Sequence, residues 1–143
     1  MQLKIKKMCE EAKIPQYSHE GDSGMDLYSV EDAVLQPGET KLVKTGLQIA
    51  VPKGFEAQVR PKSGLAAKFG VTVLNTPGTI DSGYRGEIKV ILVNTGDQVY
   101  EIEKGKKIAQ MVIAKVEEAK IEVVEDLDNT TRKDGGFGST GLN

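Results

Sequence analysis

Short apolar segments, separated by turns that contain glycine or proline, follow one another along most of the chain. Residues 55–59 alternate between apolar and polar, whereas residues 88–93 and 108–116 are longer and mostly apolar. Segments of this length that are rich in Val, Ile and Thr and bounded by turn residues are typical of β-strands. The pattern therefore predicts an all-β domain. Further strands are expected around Leu3 and Ile5, over residues 42–51, over residues 99–102 and over residues 121–124, where the ordered core closes.

One segment departs from this strand pattern. Residues 63–69 read Ser-Gly-Leu-Ala-Ala-Lys-Phe and are followed directly by Gly70. Serine is a favoured N-cap residue, and glycine frequently follows the last turn of a helix. We therefore predict one short helix with Ser63 as its N-cap. Turns are predicted at Pro37-Gly38 and at residues 52–54.

Composition limits the classes of function. The 143 residues are most simply one domain, and a net charge of −2 gives no basis for nonspecific binding to nucleic acid. Cys9 is the only cysteine and His19 the only histidine, which excludes an intrachain disulfide and a Cys-rich zinc site. Any metal is therefore expected to be a hard cation bound by oxygen.

Hydropathy gives an expectation about location. No stretch approaches the ~20 consecutive apolar residues that a membrane-spanning helix needs, and the first residues do not resemble a signal peptide. We expect a soluble intracellular protein of the cytoplasm, or of the host cell or nucleus if the source is viral, with no membrane partner.

The C-terminal segment is dense in glycine. Residues 132–141 read Arg-Lys-Asp-Gly-Gly-Phe-Gly-Ser-Thr-Gly. Glycines allow backbone N–H groups to approach an anion closely, and Ser139 and Thr140 add hydroxyl donors. Phe137 offers a flat face on which a base can stack. A disordered tail has the same composition, so this segment alone leaves both interpretations open.

Two internal segments also carry polar side chains that suggest a site. Lys62, Ser63 and Gly64 place a cation, a hydroxyl and exposed N–H groups at the start of the predicted helix, although ordinary capped helices often begin in this way. Residues 75–87 contain an amide, the carboxylate of Asp81 and the phenol of Tyr84 ahead of a buried strand. They form either the wall of a pocket or a β-hairpin whose Asn and Asp have turn roles.

Four isolated polar residues carry less information. Asp26 follows a glycine-rich turn and by itself indicates a turn or edge residue rather than a metal ligand. Gln110 interrupts an apolar strand, and a buried amide needs hydrogen-bond partners in the protein or in a ligand. We interpret His19 as a surface residue and Cys9 as a half-buried structural side chain, because no base lies near Cys9 in the sequence.

Five of these segments, in this order, resemble the five motifs of the trimeric deoxyuridine triphosphate nucleotidohydrolases (dUTPases). The resemblance extends over nearly the whole chain. The matching segments are Gly-Met-Asp-Leu-Tyr at 24–28, Pro-Lys-Ser-Gly-Leu-Ala at 61–66, Gly-Thr-Ile-Asp-Ser-Gly-Tyr-Arg-Gly at 78–86, Ile-Ala-Gln-Met at 108–111 and Gly-Gly-Phe-Gly-Ser-Thr-Gly at 135–141.

The resemblance implies a fold, an assembly and a reaction. The fold would be a jelly-roll-like antiparallel β barrel with one short helix, assembled as a homotrimer. Residues 1–128 would form a single β domain, and residues 129–143 a mobile arm that closes a neighbouring subunit's active site. The reaction would be hydrolysis of dUTP to dUMP and pyrophosphate by attack of water on the α-phosphorus, with Mg²⁺ held mainly by the triphosphate. It would limit uracil incorporation into DNA and supply dUMP for dTMP synthesis.

The resemblance also implies roles for individual residues. Asp81 would orient and deprotonate the attacking water, and Asp26 would contact Mg²⁺ through water. Phe137 would stack over the uracil. The residues expected at the uracil or the sugar are Asn75, Gly78, Thr79, Ile80, Tyr84 and Lys89. Those expected at the phosphates are Lys62, Ser63, Gly64 and Gln110, with Arg132, Gly138, Ser139 and Thr140 of the arm.

The chain departs from the family pattern at a few positions. Lys62 stands where arginine is common, which replaces a bidentate fork by a point charge, so we expect an altered phosphate contact. Gly83 stands where an acidic residue is common, and Lys133-Asp134 where small residues are usual. None of these positions changes the expected reaction class.

Two other functions are considered. dCTP deaminases share the fold, but Tyr84 and the glycine-rich tail match the hydrolase. A nucleotide-dependent regulator that binds a protein partner is the other alternative, and it would be an addition to catalysis because Asp81 and the tail are both present.

Overall fold

Ten strands and one helix of seven residues follow one another in the computed structural model, which describes residues 1–141. The predicted arm, residues 129–143, extends past this range, so Leu142 and Asn143 lie outside the described residues. The elements are β1 (Lys4–Lys7), β2 (Gly24–Tyr28), β3 (Ala33–Leu35), β4 (Thr40–Ala50), β5 (Phe55–Arg60), α1 (Ser63–Phe69), β6 (Val71–Val73), β7 (Gly78–Ile80), β8 (Glu87–Asn94), β9 (Tyr100–Ile102) and β10 (Lys107–Lys115).

The strands form two four-stranded sheets and one two-stranded sheet, and every pairing is antiparallel. The first sheet has the order β1-β4-β8-β6, the second the order β2-β10-β5-β7, and β3 pairs with β9. Strands that are distant in sequence are therefore neighbours in both large sheets. The predicted all-β, jelly-roll-like antiparallel fold with one short helix is confirmed.

A single core cluster takes side chains from both large sheets. On β8, Ile88, Val90 and Leu92 are buried while Lys89 between them is exposed, as the two-residue period of a strand requires. On β10, Ile108 and Met111 are buried. Full burial of such a side chain contributes about 1.5–3 kcal/mol. The predicted segments 55–59, 88–93 and 108–116 correspond to β5, β8 and β10 and are confirmed.

The helix begins where it was predicted, but its cap differs. Ser63 is the first helical residue, and the N-cap is Lys62, which has extended backbone angles and makes no side-chain capping bond. The prediction of Ser63 as N-cap is wrong by one residue, because the chain leaves β5 in an extended conformation that continues through Lys62. The helix ends at Gly70, whose N–H donates to the carbonyl of Ala66 at 3.0 Å.

The strand predicted over residues 121–124 is wrong. No strand is assigned there, and the side chains of Ile121 and Val123 are 86% and 93% exposed. A strand needs hydrogen bonds to a neighbouring strand, and the last pairing along the chain joins Lys115 to Phe55. Val116 N–H still donates to Gly54, but within the described part of this chain residues 121–124 make no backbone hydrogen bond to a strand.

Several smaller predictions are confirmed. Turns lie at Pro37-Gly38, where Glu39 N–H donates to Gln36, and at residues 52–54. Cys9 is partly buried, and His19 is exposed. Among residues 1–141 no helix combines the length and apolar character that crossing a membrane would take.

Candidate active site

The strand order of the second sheet brings three of the motif segments together. Asp26 on β2 lies opposite Gln110 on β10, and Gln110 also pairs with Arg60 at the end of β5. The chain continues from β5 through Pro61 to Lys62, where α1 begins. Residues that are far apart in sequence thus meet at one end of this sheet.

The centre of this group is the carboxylate of Asp26, whose side chain is only 11% exposed. Its Oδ1 contacts the ammonium of Lys62, and its Oδ2 accepts from Lys107 Nζ at 2.6 Å. Burial raises the pKa of Asp26, but hydrogen bonds from Lys107 and Lys62 and their charges outweigh burial, so the pKa lies below its ordinary value. The same contact raises the pKa of Lys107. Asp26 is therefore held ionised between two cations.

The side chain of Gln110 is held by a hydrogen bond to the backbone and lies close to a glycine of the neighbouring strand. Its Nε2 donates to the carbonyl of Pro61 at 3.0 Å. A Cβ at Gly24 on the neighbouring strand would lie 2.2 Å from Gln110 Oε1, so a larger residue there would force the Gln110 amide to shift. The amide predicted to need a partner finds one in the backbone next to Lys62, and the segments around Gly24, Pro61 and Gln110 are joined.

Ser63 and Gly64 occupy the first turn of α1 and are exposed. The first N–H groups of a helix have no partner within the helix, and no acidic side chain lies in this first turn. The position that the resemblance assigns to phosphates therefore presents donors and a nearby cation, Lys62.

A second group of predicted residues lines a cleft of about 340 Å³. Asp81 follows β7 and is exposed at this cleft, whose wall continues along β8. The predicted residues that line it are Thr79, Ile80, Asp81, Tyr84 and Lys89. Asn75 and Gly78 adjoin one another, because a Cβ on Gly78 would lie 3.3 Å from the Asn75 amide nitrogen. Residues 79–81, 84 and 87 of the candidate segment thus line a cleft, whereas Asn75 and Gly78 are not among its lining residues.

Tyr84 has a defined position in this cleft. Its hydroxyl donates to the carbonyl of Glu87 at 3.0 Å, and its ring lies across Gly86. A Cβ on Gly86 would lie 2.3 Å from the hydroxyl oxygen and 2.5 Å from the ring carbon that carries it. The ring can occupy this place only because residue 86 is glycine.

The arm residues do not join either group within one chain. Arg132 Nε donates to Gly135 at 2.9 Å, Ser139 N–H donates to Gly136 at 3.0 Å, and Phe137 is fully exposed. Among the described residues these contacts stay inside the arm, and Thr140 is also exposed. The arm is a series of turns that points its aromatic ring at solvent.

The sequence interpretation missed Lys107 and Leu42, and it included Glu87 in the candidate segment 75–87 without giving it a role. Glu87 and Leu42 line the cleft, and Lys107 contacts Asp26. A lysine ahead of an apolar strand is typical of any solvated strand end, so only the pairing of β10 with β2 reveals its partner. The basic residue just before the fourth motif was the available signal.

The donor set limits how a metal could be held. Within residues 1–141 no group of three or more His, Cys, Asp or Glu side chains could bind a metal ion. Asp26 already has an ammonium on each oxygen, which leaves contact through water as its simplest mode. A hard cation here would need most of its oxygen ligands from another molecule.

Comparison with known proteins gives the family. The sequence model of the dUTPase family matches residues 10–141. The chain belongs to the dUTPase family. The deoxyuridine 5′-triphosphate nucleotidohydrolase of Clostridioides difficile is 58% identical over 140 residues, covering 98% of each protein. That of Crocosphaera subtropica is 58% identical over 142 residues, covering 99% of this chain and 100% of the relative.

Solved dUTPase structures share the fold. A mutant dUTPase of Staphylococcus bacteriophage 80alpha, solved with dUpNHpp, has a TM-score of 0.92 and 27% identity over 99% of both chains. The dUTPase resemblance seen in the five motifs is therefore confirmed. These relatives favour neither the dCTP deaminase nor the regulator alternative.

Proposed function

We propose that this member of the dUTPase family hydrolyses dUTP to dUMP and pyrophosphate, and that Asp81 is its general base. The observation that carries the proposal is the cleft in which Asp81, Tyr84 and the strand residues around Thr79 lie together. The curated relatives are nucleotidohydrolases of this substrate, and the phage dUTPase was solved with the nucleotide dUpNHpp. In cells the reaction would limit uracil incorporation into DNA and provide dUMP.

Asp81 is suited to act on water. Its carboxylate is exposed at the cleft, and no ion pair involving it is found among the described residues. A carboxylate of this kind can accept the proton of a water molecule as that water attacks the α-phosphorus, which breaks the bond to the pyrophosphate leaving group. Positioning and charge neutralisation supply the rest of the rate.

The walls of the cleft would select the nucleoside. Asn75 and the backbone of Gly78, Thr79 and Ile80 would face the uracil edge, with Lys89 on the adjoining strand. Tyr84, fixed across Gly86, would pack against deoxyribose and leave no room for a 2′-hydroxyl. Discrimination against UTP would then come from steric exclusion by one ring.

The phosphates would be bound by the group around Asp26. Lys62, Ser63, Gly64 and Gln110 lie there with donors and positive charge. Arg132, Gly138, Ser139 and Thr140 would add contacts when the arm closes, and Phe137 would stack over the uracil. Closure would exclude water other than the nucleophile.

Assembly would complete the site. We propose a homotrimer in which residues 1–128 form the β domain and residues 129–143 the arm that closes a neighbouring subunit's cleft. This accounts for an arm whose hydrogen bonds over residues 130–141 are internal and whose Phe137 is exposed. The protein would act in the cytoplasm on free nucleotides.

Magnesium fits the residues present as a companion of the substrate. Asp26 would contact the ion through water, in keeping with its two lysine partners. When bound to the triphosphate, the ion would neutralise phosphate charge. Lys62 would likewise neutralise phosphate charge with its ammonium group.

The deciding experiment measures pyrophosphate release with dUTP, dCTP, dTTP and UTP in parallel, each with magnesium and with EDTA. We expect turnover of dUTP alone and its loss in EDTA. Ammonia release from dCTP would instead show a deaminase. Absence of pyrophosphate release with all four nucleotides would reject nucleotide hydrolysis.

The substitution Asp81→Asn tests the general base. We expect kcat to fall by about 10²–10⁴-fold, because the amide cannot accept the proton, while binding of dUpNHpp is retained. Steady-state kinetics and equilibrium titration measure the two quantities. Asp97→Asn, an exposed aspartate outside the cleft, is the matched control. An Asp81→Asn enzyme with normal kcat would remove Asp81 from this role.

A further inference from the structure

The proposed function gives no role to one of the two lysines that contact Asp26. That function assigns Lys62 to phosphate and Asp26 to the water around magnesium, and it gives Lys107 no role. Yet Lys107 Nζ lies 2.6 Å from Asp26 Oδ2, while Lys62 holds Oδ1. The two ammonium groups and one carboxylate carry a net charge of +1.

The burial of Asp26 determines how much free energy it costs to move Lys62 away from it. The Asp26 side chain is 11% exposed, against 29% for Lys62 and 49% for Lys107. A carboxylate this buried is strongly destabilised when its only cationic partner leaves. Lys62 can therefore exchange Asp26 for a phosphate at low cost only if another cation remains on the carboxylate. Lys107 is placed on the other oxygen and can remain there.

The backbone holds Lys107 in this place independently of Lys62. Lys107 is the first residue of β10 and pairs with Tyr28, two residues from Asp26 and so on the same face of β2. The register of the two strands shifts between Lys107 and Ala109. Such irregularities re-aim side chains at strand ends. Lys62 approaches from a different element, the start of α1.

We propose that Lys107 is a positioning residue that keeps Asp26 neutralised when Lys62 engages the phosphates of the substrate. Lys107 acts through Asp26 and Lys62 and does not contact the nucleotide. The inference rests on the proposed role of Lys62 in phosphate binding. Without Lys107, Asp26 would keep no direct cationic partner, only the water-mediated contact proposed for magnesium, when Lys62 binds the triphosphate.

The test compares Lys107→Gln with wild type in dUTP turnover and in titration with dUpNHpp. We expect KM for dUTP and Kd for dUpNHpp to rise about tenfold with kcat changed by less than about twofold, because a contact common to ground and transition states is weakened. Inhibition by deoxyuridine, which lacks phosphate, should be unchanged. Lys107→Arg should restore both constants to within about twofold, since it keeps the charge.

Lys106→Gln is the matched control. Lys106 is adjacent in sequence and exposed, and its ammonium pairs with Glu103 at 3.5 Å, away from Asp26. Its removal should leave KM and Kd unchanged.

A double-mutant cycle separates positioning from a general loss of charge. In a Lys62→Gln background no lysine has to leave Asp26, so the additional substitution Lys107→Gln should raise Kd by less than about twofold. Equal effects in both backgrounds would overturn the proposal. So would unchanged Kd for dUpNHpp in Lys107→Gln, or an equal loss of deoxyuridine binding.

Thermal melting of each variant checks folding. If Lys107→Gln does not fold, Lys107→Met, which keeps the apolar stem, is measured in its place. Failure of both to fold would overturn the proposal, because Lys107 would then be needed for structure alone. Failure of the wild type to hydrolyse dUTP is a separate outcome, which would reject the proposed function itself.

Discussion

At the scale of single residues, Gly86 leaves the space that the ring of Tyr84 occupies. The ring lies where a Cβ on Gly86 would come within 2.3 Å of the hydroxyl oxygen. Real Cβ contacts are not this short, so any larger residue at position 86 must push the ring away. The hydrogen bond from Tyr84 to Glu87 would be lost with it. Gly86 thus leaves the space for the side chain that is proposed to exclude the 2′-hydroxyl.

The substitution Gly86→Ala is expected to weaken sugar selectivity. Displacement of the Tyr84 ring should reduce the ratio of kcat/KM for dUTP to that for UTP by about tenfold. The measurement is pyrophosphate release with each nucleotide under identical conditions.

Gly83→Ala is the control for that prediction. A Cβ on Gly83 meets nothing within 4 Å, and the residue is exposed, so this variant should keep the ratio of the wild type. If both variants keep it, the position of the Tyr84 ring does not determine selectivity.

At the scale of elements, Asn94 joins the end of β8 to two other parts of the fold. Its buried amide donates to the carbonyls of Leu35 at 3.1 Å and Gln98 at 2.7 Å, and accepts from Gly96 N–H at 2.9 Å. One side chain therefore links β8 to β3 and shapes the turn toward β9. These backbone partners are at least partly buried, so they rely on the Asn94 side chain rather than on water for these hydrogen bonds.

Asn94→Ala should lower the free energy of unfolding by about 2–4 kcal/mol, because it leaves several polar backbone groups without partners. Urea denaturation followed by circular dichroism measures the change. Asp97→Ala in the same turn, at an exposed site, should change it by less than about 0.5 kcal/mol. A loss below about 1 kcal/mol for Asn94→Ala would show that water replaces the amide.

β8 and β10 could be predicted from the sequence, as could the short β9 within the predicted segment 99–102, but several other short strands could not. β8 and β10 have enough apolar residues to show a pattern, whereas β3 and β6 have three residues each and were not predicted. The segment 121–124 has the same composition as a true strand and failed as a prediction, since local composition does not contain the neighbouring strand that supplies hydrogen bonds.

The candidate site also has residues that could be predicted from the sequence and residues that could not. Asp81 and Tyr84 lie in one motif, so the sequence could name them together as candidates for a pocket wall, although a plain hairpin remained open until the family resemblance was considered. Lys107 could not be assigned, because its partner Asp26 lies on another strand and only the register of β10 against β2 brings them together. Contacts within a motif can be predicted from spacing, whereas contacts between strands depend on tertiary pairing.

At the scale of the whole molecule, the proposed arm and β domain have different expected roles. The arm's hydrogen bonds over residues 130–141 are internal, and its side chains are mostly exposed. Truncation after Asn129 should therefore reduce kcat/KM for dUTP by more than about 100-fold, through loss of phosphate contacts and water exclusion. The melting temperature should change by less than about 2 °C.

Kinetics and calorimetry on the truncated and full chains measure these two quantities. Collapse of the fold on truncation would show that the arm is structural. Full activity without it would show that the β domain alone forms the site.

The exposure of Arg132 and Lys133 has a practical consequence for handling the protein. Proteases of the trypsin type cut after these residues, and one cut there would release Phe137 and the glycines behind it. The remaining fragment would have nearly the original mass and an intact β domain. Given the proposed role of the arm, such a sample would pass checks of folding but lose its catalysis, so an intact-mass measurement of the C-terminus is the proper measure of its quality.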